Sequence, residues 1–151
     1  MKLKLSSELA WLIGFWKMRR ARKGIGVFGE QEVQERFVQE VLKMKLVPPE
    51  KLYAEGKEVW FRHVKLENFF ERVANNQTDI FNRPNKLTAS YLKGMYESAG
   101  EGPAIRKASF KDKMLIERLG FFTRKVKLKD GKLGLFINKF NDFLSLINRF
   151  G

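Results

Sequence analysis

The residues of this chain best equipped for chemistry are its cations. Thirty Lys and Arg stand against seventeen Asp and Glu, a formal net charge of +13 on 151 residues. A small protein with that much self-repulsion suits a polyanionic partner, and nucleic acid is the first to consider; the plainer alternative is charge that only keeps the protein soluble. The cations fall in short runs: Arg19, Arg20, Arg22 and Lys23; Lys57 and Arg62 beside the single histidine, His63; Arg106 and Lys107; and Arg124, Lys125, Lys127, Lys129 and Lys132. Guanidinium pairs bidentately with guanine, so Arg62 and Arg124 are expected to contact bases, while lysines hold phosphates. With no cysteine and one histidine, disulfides, thiolate metal sites, a Cys nucleophile and a His-based metal cluster are all excluded.

Two nine-residue stretches stand out beside these cations. LIGFWKMRR (Leu12 to Arg20) and LKGMYESAG (Leu92 to Gly100) lie 80 positions apart, each with glycine third, at Gly14 and Gly94. A glycine inside a helix costs about 0.5 to 1 kcal/mol relative to alanine, so two at equivalent positions suggest that another backbone needs the room; the alternative is two incidental small residues.

The elements that must position these groups repeat in order. Ser6-Ser7-Glu8 caps a helix that ends in the basic run before Gly24 and Gly26. Ile25, Val27 and Phe28 make a strand, and Glu30 to Met44 a helix with Val33, Phe37 and Val41 in one stripe, stopped at Val47-Pro48-Pro49. Leu52 to Ala54 and Val59 to Val64 form a hairpin across Glu55-Gly56-Lys57, with Arg62 and His63 on its second strand, followed by a helix from Lys65 to Asn75. After a linker around Pro84 the order returns. It runs through a motif helix (Leu87 to Gly100), a strand (Ala104 to Phe110), a helix (Lys111 to Leu119), a hairpin (Phe122 to Leu128 with Leu133 to Ile137) and a helix (Asn138 to Phe150). Such self-similarity is what a duplicated unit leaves behind.

With these motifs, their separation and the matching order around them, the chain resembles the LAGLIDADG family of homing endonucleases and intron maturases over about Ser7 to Phe150. The resemblance implies one α/β (α+β) domain over residues 1–151, with pseudo-symmetric halves of about 6–75 and 87–151 joined by a linker at 76–86. In each half a helix, strand, helix, hairpin and helix follow one another. It further implies that the motif helices pack side by side at Gly14 and Gly94, and that the strands form an antiparallel saddle lying in the major groove of DNA.

The family places an acid near the foot of each motif, and the two acids hold a divalent metal for phosphodiester hydrolysis. Hard cations such as Mg²⁺ need those oxygen ligands. Here the two positions fall on Arg19 and Ala99, a fixed positive charge and a side chain with no ligand atom. Glu97 matches an earlier acid of the second motif but is turned about 200° around the helix from Ala99. Glu101 lies just past the helix, with Ala21 as its counterpart. The expectation is a protein without cofactor that has lost its nuclease chemistry, with Mg²⁺ relevant only if unorthodox acids keep it active. Arg19 and Arg20 could hold phosphates where the family holds metal, or could simply offset the helix dipole.

Arg22, Lys23, Lys57, Arg62, Arg106, Lys107, Arg124, Lys125, Lys127, Lys129 and Lys132 complete the expected DNA surface. Val126 and Lys127 alternate as on a strand with one face on a core and one in solvent; lysines there could equally protect a sheet edge. Gly24 to Gly29 matches G-x-G-x-x-G, but it follows a helix and contains its own strand, so a dinucleotide site is set aside. The aromatic residues, fourteen of them Phe, are expected in the core rather than as base-stacking platforms.

The partners expected are therefore double-stranded DNA and, from the maturase branch, structured RNA, bound by a monomer acting as a regulator or architectural factor. No segment approaches the roughly 20 apolar residues of a bilayer span, and Leu9 to Trp16 is short for a signal core, so a cytoplasmic protein without membrane contact is expected. The 31% charged residues and absent cysteine fit a thermophile.

Overall fold

The computed structural model describes residues 3–150. Ser6, in extended backbone, accepts a hydrogen bond from the Leu9 amide at 3.1 Å and so opens α1 (Ser7–Lys17), which is buried along nearly its whole length. The first half continues with β1 (Ile25–Phe28), α2 (Gln31–Lys43), β2 (Tyr53–Glu55), β3 (Glu58–Phe61) and α3 (Val64–Asn75). A short α4 (Gln77–Ile80) sits in the connection. The second half contains α5 (Lys86–Ala99), β4 (Gly100–Glu101), β5 (Ala104–Arg106), α6 (Phe110–Arg118), β6 (Thr123–Lys127), β7 (Leu133–Ile137) and α7 (Phe140–Asn148).

The two sheets are antiparallel and share one plan. In the first the order is β1-β3-β2, with a single bridge from Arg20 to Val27 outside β1. In the second it is β4-β5-β7-β6, so β4, an edge strand the sequence does not announce, takes the place of that bridge. Gly56, at φ +60°, turns the β2–β3 hairpin in a conformation that side chains rarely adopt.

α1 and α5 lie side by side where the glycines foretold. A Cβ on Gly14 would run into the Tyr91 carbonyl and come within 3.2 Å of the Met95 nitrogen; one on Gly94 would run into the Trp11 carbonyl and come within 2.9 Å of the Phe15 nitrogen. Each glycine thus faces the residue three places before the other, the signature of a two-fold relation. One apolar cluster runs through both halves around this pair, including Leu12, Ile13, Phe37 and Phe61 from the first half and Leu92, Met95, Ile116 and Phe143 from the second.

Two ion pairs tie each motif helix to the opposite half, with reversed polarity. Lys17 of α1 pairs with Asp112 of α6, and Glu97 of α5 pairs with Arg36 of α2 at 3.0 Å. The first is buried: Asp112 is 1% exposed and also accepts from Gln77 at 2.8 Å, while Tyr91 donates to the Gln77 amide oxygen. Burial, then Arg20 and Lys111, push the Lys17 pKa down to about 7. Burial likewise raises the Tyr91 hydroxyl, which stays protonated and donates.

Several boundaries differ from those read along the sequence. His63 is not a strand residue: its Nδ1 accepts from the Leu66 amide at 3.2 Å and caps α3. Arg62 accordingly lies beyond the end of β3, and β5 stops at Arg106, because Lys107 takes a left-handed φ of +53° that breaks the ladder. Phe110 is therefore the first residue of α6, closed by a Ser109–Asp112 capping box. The connection over residues 76–86 is not a loose tether either, since Gln77 and Phe81 are buried and the Phe81 ring stacks on Tyr91 at 4.0 Å.

Candidate nucleic-acid interface

Cross-strand partners project to the same side of a sheet, so the registers sort every strand residue onto a face. In the second half Ile105, Leu135 and Lys125 share one row, and Leu135 is 4% exposed, so this side faces the core. The next row on the other side aligns Ala104, Phe136 and Arg124, and the one beside it Arg106, Gly134 and Val126. Arg106 and Arg124 therefore stand on the open face, where the Arg124 guanidinium lies 4.7 Å from the Phe136 ring. Lys125 and Lys127 belong to the opposite side and reach solvent only because β6 is an edge strand. The alternation of Val126 with lysines reads the other way round in the structure: Val126, not the lysines, shares the face of Arg124.

In the first half Ile25, Val27, Val59 and Phe61 are buried on the core side. The open face carries Phe28 and Glu58 with Glu55 in one row, and Gly26, Trp60 and Tyr53 in the next. Arg22 and Lys23 border it. The Arg22 amide donates to Glu58 at 3.0 Å, and Lys23 pairs with Glu55 at 3.0 Å while lying 5.1 Å from the Trp60 ring. Phe28 and Tyr53, 38% and 52% exposed, correct the expectation that the aromatics belong to the core. Only the strand register reveals them.

Between the two faces, below the paired helices, lies a hollow lined by Arg19, Lys57, Arg106, Lys107, Lys132, Phe28, Ala99 and Glu30. Arg19 leaves the end of α1 and crosses to the other motif helix, where its Nε donates to the Ser98 carbonyl at 2.6 Å, with a longer contact of 3.4 Å to the Phe28 carbonyl. The foot of a helix presents carbonyls with partial negative charge, which a guanidinium satisfies. Burial, then Arg106, lower the Arg19 pKa, and Glu30 opposes them; an arginine keeps its charge regardless. Arg106 is held by Asp130 at 2.5 Å and by Glu101 at 3.0 Å, and both bonds raise its pKa. Lys57 pairs with Glu30 at 3.0 Å, and Lys107 bridges the halves with its Nζ 5.7 Å from the Phe28 ring.

Not every expected contact residue gathers here. Arg20 turns away, pairing with Glu71 of α3 at 2.7 Å and stacking 4.2 Å over the Trp16 ring, so it does not join Arg19 in the hollow. Lys129 sits exposed in the β6–β7 turn and Arg62 exposed in the loop before α3. Glu97 is on the far side of α5 with Arg36.

The residues do not fit a divalent metal. At the foot of the helices stand Arg19 and Ala99; Glu30, which lines the hollow, and Glu101, which follows the second helix, are each engaged by a cation. Among the described residues no three His, Cys, Asp or Glu side chains gather in a metal-binding group, and no helix is long and apolar enough to cross a membrane.

No protein-family model and no curated protein matches the chain. Solved structures do. A variant of I-DmoI in complex with its target DNA and magnesium superposes with a TM-score of 0.64 at 14% identity, over 95% of this chain and 94% of that one. A mesophilic variant of the homing endonuclease I-DmoI gives 0.65 at 15% identity, over 95% and 96%. A further variant, with its target DNA and manganese, gives 0.64 at 13% identity, over 95% and 92%. Likeness across nearly the whole of both chains, at an identity this low, is likeness of backbone: the protein has the LAGLIDADG homing-endonuclease fold seen in I-DmoI.

Proposed function

We propose that this protein grips duplex DNA with the open face of its second sheet and the cation-lined hollow below the helix pair, as a sequence-preferring regulator or architectural factor, and does not cut it. The observation that carries this is Arg19, whose guanidinium occupies the foot of the helix pair, bonded across to the Ser98 carbonyl beside Ala99. A cation-lined hollow suits a phosphate and repels a metal ion. The neighbours of known structure include complexes with target DNA, which supports a duplex as ligand. A single chain supplies both motif helices, so it acts as a monomer.

The test is a gel-shift titration on duplex DNA beside a supercoiled-plasmid assay with Mg²⁺ or Mn²⁺. The expected result is binding without nicking above the metal-free control, and selection of a long motif from a random duplex library. Metal-dependent nicking that disappears in Glu97→Gln or Glu101→Gln would overturn the non-cutting assignment. Structured RNA outcompeting duplex DNA would overturn the duplex.

A further inference from the structure

The two open faces are chemically unlike. That of the second half presents Arg106 and Arg124, whereas that of the first presents Tyr53, Trp60 and Phe28 together with Glu55 and Glu58. Two carboxylates on a sheet face repel a phosphate backbone, so duplex contact is not what this face serves best.

What it holds is a built aromatic stack. Trp60 is 7% exposed yet lies outside the continuous apolar core, on the opposite side of β3 from Val59 and Phe61. Its room comes from the glycines set aside above: a Cβ on Gly26 would come within 2.7 Å of the Trp60 Cβ, and one on Gly24 within 3.1 Å of its Cδ1. The indole thus lies against a strip of β1 cleared of side chains. Tyr53 stacks beside it, with centroids 6.0 Å apart and planes at 27°, and is 52% exposed. The stack is open to one more ring.

We propose that Tyr53 is a stacking site for an unpaired base, so that the natural ligand is a duplex adjoined by a single-stranded segment. An unpaired base offers a neutral π-face that carboxylate neighbours do not repel, while bases within a duplex offer only their edges. Lys23, held at Trp60 and Glu55, and Lys57 in the adjoining turn stand at the rim for the backbone of that segment. Phe28 lies two strands and two residues away, roughly 12 Å by strand spacing, which places a second ring within reach of a nearby nucleotide. The site adjoins the surface proposed above for duplex and rests on it for where the rest of the ligand lies.

The experiment compares a blunt duplex, the same duplex with a short single-stranded tail, the tail with abasic sites, and the tail alone, each tail made once in deoxyribose and once in ribose. The tail is expected to tighten binding by roughly 5-fold to 100-fold, the range that one stacked base contributes. Tyr53→Ala should abolish that gain, Tyr53→Phe keep it, and the abasic tail fail to produce it. Blunt-duplex affinity and the circular dichroism spectrum should not change in either variant. Loss of the gain in either sugar series supports the site, and the tighter series names its source. A tail gain that survives Tyr53→Ala, or no gain at all, overturns the site while blunt-duplex binding leaves the duplex reading standing. Tight, Tyr53-dependent binding of the tail alone with no binding of blunt duplex would do the reverse.

Discussion

The division of cations between the two sides of the second sheet yields a quantitative prediction about salt. Each phosphate that a cation neutralises steepens the fall of log affinity with log salt by about 0.9. Arg19, Lys107, Lys132 and Arg124 stand on the open side without a paired carboxylate, while Lys57 and Arg106 must first leave Glu30, Glu101 and Asp130. Four contacts give a slope of about −3.6 and six about −5.4. The upper count implies roughly a thousandfold loss between 50 and 200 mM salt. Lys107→Ala with Lys132→Ala should flatten the slope by about 1.8. Lys125→Ala with Lys127→Ala removes the same charge from the side in register with Leu135 and should leave the slope unchanged. Fluorescence-anisotropy titrations of one duplex at several salt concentrations measure all of this. Equal flattening by the two double variants would refute the assignment of faces, since net charge alone would then govern binding.

Two further predictions concern the helix pair and its ties. Gly14→Ala forces a methyl group against the Tyr91 carbonyl, so an overpacking cost of about 1 to 3 kcal/mol should exceed the propensity gain of about 1 kcal/mol. Adding Gly94→Ala should cost less than a second full increment, because parting the helices once relieves both contacts; urea melts showing either change to be stabilising would contradict the close approach. Asp112→Asn leaves Lys17 buried beside Arg20 and Lys111 without its counter-charge, and should destabilise by about 3 to 5 kcal/mol near pH 6. With Asp112 in place folded Lys17 already titrates at about 7 against 10.5 unfolded, so between those values the unfolded chain binds more protons and native stability rises with pH; removing Asp112 lowers the folded pKa further and extends that rise below 7. Thermal melts in which the deficit of this variant fails to shrink as pH rises from about 5 to 7, or goes on shrinking from about 7 to 9, would contradict that coupling.

Much of the architecture is legible along the chain because it is written in local terms. The apolar stripe of α2, the Gly-containing turn at Gly56 and the breaks at Pro48 and Pro49 act over a few residues, and their repetition shows the two halves. The spacing of Gly14 and Gly94 needs only the steric rule that a bare Cα lets another backbone approach, and the helices meet there. That Arg19 and Ala99 stand where the resemblance implies carboxylates is likewise a matter of residue type, read once the motifs are aligned.

What each basic side chain does was decided only by tertiary structure. β6 is an edge strand, and its own pattern of Val126 between lysines would turn the valine inward. Pairing with β7 instead puts Lys125 opposite Leu135, because β7 buries the larger apolar surface and sets the register for both. Arg19 and Arg20 are neighbours in sequence yet part company, one to the Ser98 carbonyl and one to Glu71, since those partners come from segments far along the chain. The Tyr53–Trp60 stack joins two strands across a hairpin and lies on glycines of a third, an arrangement that exists only once β1, β3 and β2 stand side by side. Local propensity acts through a residue and its near neighbours, whereas face, partner and burial depend on contacts that chain closure brings together.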